Sequence, residues 1–199
     1  RGELIFSSAA LATQSDDPRI HRLLARIRGE LEEWQAIETD GEDLRAMATA
    51  ARARVSIADA ALDHRLHRFA TDLLDTCDAA SDIYQAFFPE PHEEIIALGL
   101  ACEIPMATLV LGRLAAEDHA AQTLRDAHAD ALRAALQLGH VALSDRAEAY
   151  AALGRHQART EAWLTSCGAI LRTTRDALAK LAEDRRLSPR WVDAFFPTE

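Results

Sequence analysis

The sequence predicts an all-α fold, and three observations carry that prediction. Gly and Pro are scarce, 8 and 6 of 199 residues, while Ala and Leu abound, a composition that favours long helices over a sandwich or barrel. No useful run alternates apolar and polar residues with a period of two, so strands are not expected. From Leu44 to Tyr84 the apolar residues recur at helical spacing instead. The arrangement these features imply is an elongated, antiparallel up-down-up-down four-helix bundle about 60 Å long, with a broken first helix, a Pro-kinked third helix and a short C-terminal capping helix. One domain over residues 1–199 is expected, with helical hairpins 1–91 and 92–199 as candidate pseudo-repeats. The start at Arg1 rather than Met marks the chain as a candidate fragment of a larger protein.

The elements follow in order. Leu4 to Ala12 is a short apolar segment, and Ser15-Asp16-Asp17-Pro18 then supplies capping side chains and a proline suited to a first helical turn. Ile20, Leu23, Leu24, Ile27, Leu31 and Trp34 share one helical face after it, and Asp40-Gly41 is the expected stop. The second helix is expected from about Glu42 to Phe87. Its stripe, Leu44, Met47, Ala51, Val55, Ala58, Leu62, Leu66, Phe69, Leu73, Cys77, Ala80 and Tyr84, steps by three or four in an 11-residue repeat, which predicts a nearly straight or slightly right-handed coiled packing. Pro89 and Pro91 force an end. A third helical region spans His92 to Leu138, kinked or divided by Pro105 near Glu103 and closed by Gly139. Ser144-Asp145 opens the fourth helix, which runs to about Arg186, and Ser188-Pro189 caps a terminal helix through Phe196.

One internal echo stands out. Ile83-Tyr84-Gln85-Ala86-Phe87-Phe88-Pro89 resembles Trp191-Val192-Asp193-Ala194-Phe195-Phe196-Pro197. In the expected bundle both segments lie at one end, as aromatic caps on the core or, where exposed, as docking groups. Phe87, Phe88, Trp191, Phe195 and Phe196 are therefore the candidate partner-binding residues.

The formal charge of −10 disfavours general binding to nucleic acid or to an anionic membrane surface. The most apolar stretch, Ile95 to Gly112, contains Glu103 and Pro105 and makes a poor membrane span. Cys77, Cys102 and Cys167 are widely spaced, with no zinc-type pairing; such sparse cysteines fit a soluble protein of the reducing cytoplasm. Charge is also polarised. Seven acids and no base lie between Glu30 and Asp43, whereas the segment from Arg172 to Arg190 is locally basic.

Candidate chemistry is sparse. The Glu-x-x-His motif of di-iron bundles is absent, as are nucleophile elbows and phosphate loops. Asp59, Asp63 and His67 are spaced by four on one helical face, and Asp126 and Asp130 repeat that spacing after His119. Oxygen and imidazole ligands converging from two helices would hold a divalent metal, although flanking arginines make a solvated charged face the ordinary reading. Glu103 has two readings as well. Turned outward at the break before Pro105 it is unremarkable; turned inward it needs a partner or a raised pKa, and with Cys102 and Pro105 it would line a ligand pocket. No organic cofactor is called for. These features favour a non-enzymatic interaction or scaffold module that docks a protein partner or self-associates; the alternatives are a ligand-sensing bundle with a pocket at Glu103 and Pro105 and, third, a metal-carboxylate enzyme.

Overall fold

The computed structural model describes residues 1–116 and 122–197, and every regular element among them is a helix. In order these are α1 (Gly2–Ala12), α2 (Pro18–Leu74), α3 (Asp82–Phe87), α4 (His92–Ile96), α5 (Leu100–Ala116), α6 (Gln122–Arg185) and α7 (Arg190–Asp193). The all-α class is thus as the composition and spacing predict. The expected set of four long helices is replaced by two, of 57 and 64 residues, with three shorter ones between them. Among the described residues no helix is long and apolar enough to cross a membrane.

The differences have local causes. Asp17 caps α2 as expected, accepting from the Arg19 amide at 2.7 Å. Gly41 and Gly139, expected as helix ends, lie inside α2 and α6 instead. Both are buried at close approaches. A Cβ on Gly41 would stand 2.8 Å from the His156 ring, and one on Gly139 would stand 3.1 Å from the Leu100 side chain. Glycine costs a helix interior about 1 kcal/mol; here it is kept because a neighbouring side chain occupies the space of a Cβ. The Ser144-Asp145 start likewise lies within α6, where Asp145 pairs with Arg54 of α2.

The long α2 stops at Leu74, not at Phe87, because polar side chains take over its last carbonyls and start a new cap. Thr76 Oγ1 donates to the Leu73 carbonyl at 2.7 Å, the Ala80 amide donates to Asp78 at 3.1 Å, and Ser81 caps α3 through the Tyr84 amide at 3.2 Å. Pro105 does not divide the third region. It sits inside α5, and the break falls earlier, at Gly99, whose φ of +79° is a conformation that favours glycine.

The chain divides into two compact units, one comprising Arg1–Arg45 with Ala152–Glu199 and the other Ala46–Ala151. In the first, α2 and α6 run antiparallel: Arg185 pairs with Asp17, Trp163 Nε1 donates to the Glu30 carbonyl at 3.0 Å, and His156 Nε2 lies 2.8 Å from the Ile37 carbonyl. Leu4, Leu11, Ile20, Leu24, Ile27, Trp163, Leu178, Leu181 and Phe195 form its core. In the second unit the same helices are again antiparallel, with Asp72 2.8 Å from His128. Leu62, Leu66, Phe69, Leu73, Phe87, Phe88, Ile104, Val110, Leu114 and Leu132 fill its core. The 11-residue stripe supplies this wall over Ala58 to Leu73. Farther up, the buried residue is Ala48 and not Met47, which is exposed.

The two Ala-Phe-Phe-Pro segments therefore belong to different units and different cores.

Candidate functional site

Three carboxylates converge in the second unit. Asp59 and Asp63 stand one turn apart on α2 and face Glu103 of α5; one oxygen from each lies within 4.8 Å of the others. The spacing of four on α2 puts the two aspartates on one face. The apolar residues around Glu103, with Ile104, Ala107 and Val110 buried beside it on α5, draw that helix into the core and carry the glutamate with them. Glu103 is 0% exposed, which corrects the outward placement expected at a helix break. Both of its carboxyl oxygens, and Oδ1 of each aspartate, are buried without an N–H or hydroxyl donor, and only a proton shared between Glu103 and Asp63 would bond them.

Such an arrangement is electrostatically unbalanced. Burial pushes the Glu103 carboxyl up to about 8, and the neighbouring Asp63 and then Asp59 add to the shift. Arg113, whose Nη1 is also buried and unbonded, lies ten residues farther along α5, about 15 Å at 1.5 Å per residue, too far to neutralise Glu103. Three oxygen donors of one charge, without a base in the cluster, are suited to a cation.

The other residues singled out in the sequence are placed differently. His67 turns to α4, its Nδ1 3.1 Å from His92 Nε2. Asp126 and Asp130 are exposed, and Asp130 pairs with Arg133 on its own helix. His119 lies outside the described residues. Cys102 and Pro105 flank Glu103 in sequence but face solvent. Phe87 and Phe88 are buried against Phe69, with ring centroids 5.2 and 5.8 Å away, and Phe195 is buried against Trp191 at 4.8 Å. As docking groups these three are corrected: they are core. Trp191 and Phe196 are half-buried, the latter beneath the Arg175 guanidinium at 4.8 Å.

The sequence reading missed a second polar group in this unit. His92 is buried, with Nδ1 3.0 Å from the Tyr84 hydroxyl and 3.1 Å from a Glu93 oxygen. Desolvation holds its pKa below the usual imidazole value; Glu93 opposes that shift and His67 adds to it. The signal for this group was a lone histidine after two prolines, and nothing in its spacing announces a buried role. In the first unit, a surface cleft of about 430 Å³ is lined by Asp40, Asp43, Arg155, His156 and Arg159 among others. Charges of both signs meet there, and Arg159 already holds Asp40 at 2.7 Å, so this cleft makes no unmet demand of the kind Glu103 makes.

No protein-family model, curated protein or solved structure matches this chain. The functional reading therefore rests on the geometry.

Proposed function

We propose that the chain is a helical binding module whose second unit takes up a cation between α2 and α5. The observation that carries this reading is Glu103, fully buried with both oxygens unbonded and directed at two further carboxylates. Isolated ionised carboxylates are costly to bury, and the penalty is relieved by a proton or by a positive ion. Asp59 and Asp63 are half-buried, which leaves the cluster a side through which an ion can enter. Cation binding would tie α5 to α2 and stabilise the unit through linkage. Calorimetric titration of chelator-treated protein with divalent chloride salts tests the reading. Saturable binding that is lost in the Asp59→Asn, Asp63→Asn double variant is expected; no heat and no shift in unfolding temperature with any cation would sink it.

A second reading, self-association of the module, is supported by the outward side of α5. Ala101, Cys102, Pro105, Thr108, Leu109 and Gly112 are exposed and carry no charge, with Leu98 just before them 56% exposed. An uncharged strip of this kind suits a second copy. Light scattering that shows a monomer at all concentrations, unchanged in Leu109→Asp, would remove this reading.

A further inference from the structure

We infer that the ion taken up at Asp59, Asp63 and Glu103 is a hard divalent cation of the calcium type, held by oxygen ligands. This inference rests on the reading that the cluster binds a cation, and it names the class. The cluster counts as a site because it holds more than neighbouring acids: Glu103 is 0% exposed and offers two unbonded oxygens.

Charge sets the valence. With the Glu103 proton displaced on binding, the three carboxylates bring −3; a monovalent ammonium would leave −2 in a partly buried place, whereas a divalent ion leaves −1. Donor type sets the hardness. All three groups offer oxygen alone, which suits calcium, magnesium or manganese better than zinc, whose preferred protein ligands include imidazole and thiolate. Ligand number then separates the hard ions. Magnesium dehydrates reluctantly, demands a near-ideal octahedron and is usually held by one or two carboxylates with several waters. Three carboxylates brought together, one of them fully buried, match a calcium site better. Calcium also accepts six to eight oxygens in flexible arrangements, and three carboxylates supply up to six, with water completing the shell on the half-buried side of Asp59 and Asp63.

The test is a competition series on the whole chelator-treated chain, with calcium, magnesium, manganese, zinc and methylammonium chlorides each titrated by calorimetry and the bound ion counted by elemental analysis. One calcium per chain is expected, bound at least tenfold more tightly than magnesium or zinc, with the binding lost in Glu103→Gln. Glu103→Gln removes a buried charge and is expected to fold; Asp59→Asn serves as a second variant with its own partial loss. Tighter binding of magnesium, zinc or methylammonium at the same residues would overturn the calcium inference and leave the cation reading standing. Absence of binding by every ion would overturn both and leave a cluster held together by shared protons. Calcium binding that persists in both variants would place the ion elsewhere and overturn the site.

Discussion

The two units bury polar groups of different kinds. Among the described residues of the first, the buried side-chain polar atoms without a hydrogen bond are neutral, Ser7 Oγ and Trp34 Nε1; among those of the second they are ionisable, on Asp59, Asp63, Glu103 and Arg113. The first unit settles its charges in pairs at or near the surface: Arg1 with Glu38, Arg19 with Asp184, and Arg159 with Asp40. The acidic stretch from Glu30 to Asp43 is met in this way by Arg1 and Arg159, and the basic C-terminal region by Asp17 and Asp193. Exposed pairs of this kind contribute little, about 0–1 kcal/mol each. An unpaired buried carboxylate acts the other way and is far larger. The contrast teaches that the long acidic run, prominent in the sequence, is electrostatically ordinary. A single acid inside an apolar stretch carries the functional demand.

The sharpest way to break that contrast is to remove the buried charge. In chelator at pH 9, Glu103→Gln is expected to raise the stability of the protein by about 1–4 kcal/mol, measured by urea unfolding. The sign follows from the raised pKa. With a folded value of about 8 against an ordinary 4.5, the stabilising proton is fully held below about pH 4.5, and its contribution is lost as pH rises through 8. The parent protein should therefore weaken over that window, and the variant should lose this part of the dependence. A parent protein whose chelated stability does not fall would contradict the burial argument.

Glycine substitutions give a smaller test, in the first unit. Gly41→Ala is expected to cost about 1–2 kcal/mol, because the new methyl displaces the His156 ring from its 2.8 Å contact with the Ile37 carbonyl. Gly29→Ala, with nothing within 4 Å, should gain about 0.5–1 kcal/mol from helix propensity alone. Equal effects at the two positions in thermal unfolding would refute the close-approach explanation.

Acid should separate the units further. His92 is a base whose folded pKa lies below its ordinary 6.5, so the unfolded state takes up the proton first. The stability it contributes is present above about pH 6.5 and is lost as pH falls from there towards the folded value. Asp17 in the first unit has a carboxyl held below its ordinary 3.8 by the Arg19 amide, with Arg185 and Arg19 adding to that shift, so its contribution persists until about pH 3.8 and is lost below. The ring resonance of His92 should therefore respond to acid at a higher pH than the carboxyl resonance of Asp17. Simultaneous responses would count against this account.

The smallest effect concerns thiol chemistry and leaves stability untouched. Cys167 is buried, and burial pushes its pKa up to about 11, with Glu30 adding to the rise; Cys102 is exposed. Iodoacetamide at pH 8 should modify Cys102 well before Cys167, as read by mass spectrometry.

Composition and helical periodicity indicated the all-α class, capping residues the Asp17-Pro18 start of α2, and spacings of three and four the buried stripe from Ala58 to Leu73. Those features are local to one stretch of chain, and backbone geometry turns such spacings into a face. The candidate site was only half legible. Asp59 and Asp63 announced themselves by a spacing of four, and Glu103 by its apolar surroundings, but as members of separate hypotheses. Their meeting requires α5 to pack on α2, a contact between residues about forty positions apart. The same limit explains Gly41 and Gly139. Alone, each marks a helix stop, and only the packed structure supplies the His156 ring or the Leu100 side chain that makes a missing Cβ useful. It also explains the Phe-Phe pairs, whose shared Ala-Phe-Phe-Pro sequence entered separate cores because burial depends on what a segment packs against. Propensity acts over one turn and was readable from the chain; the direction of Glu103, the continuity of α2 through Gly41 and the company of each aromatic were decided by long-range packing, where the free energy of excluding water and filling space outweighs a local preference of about 1 kcal/mol.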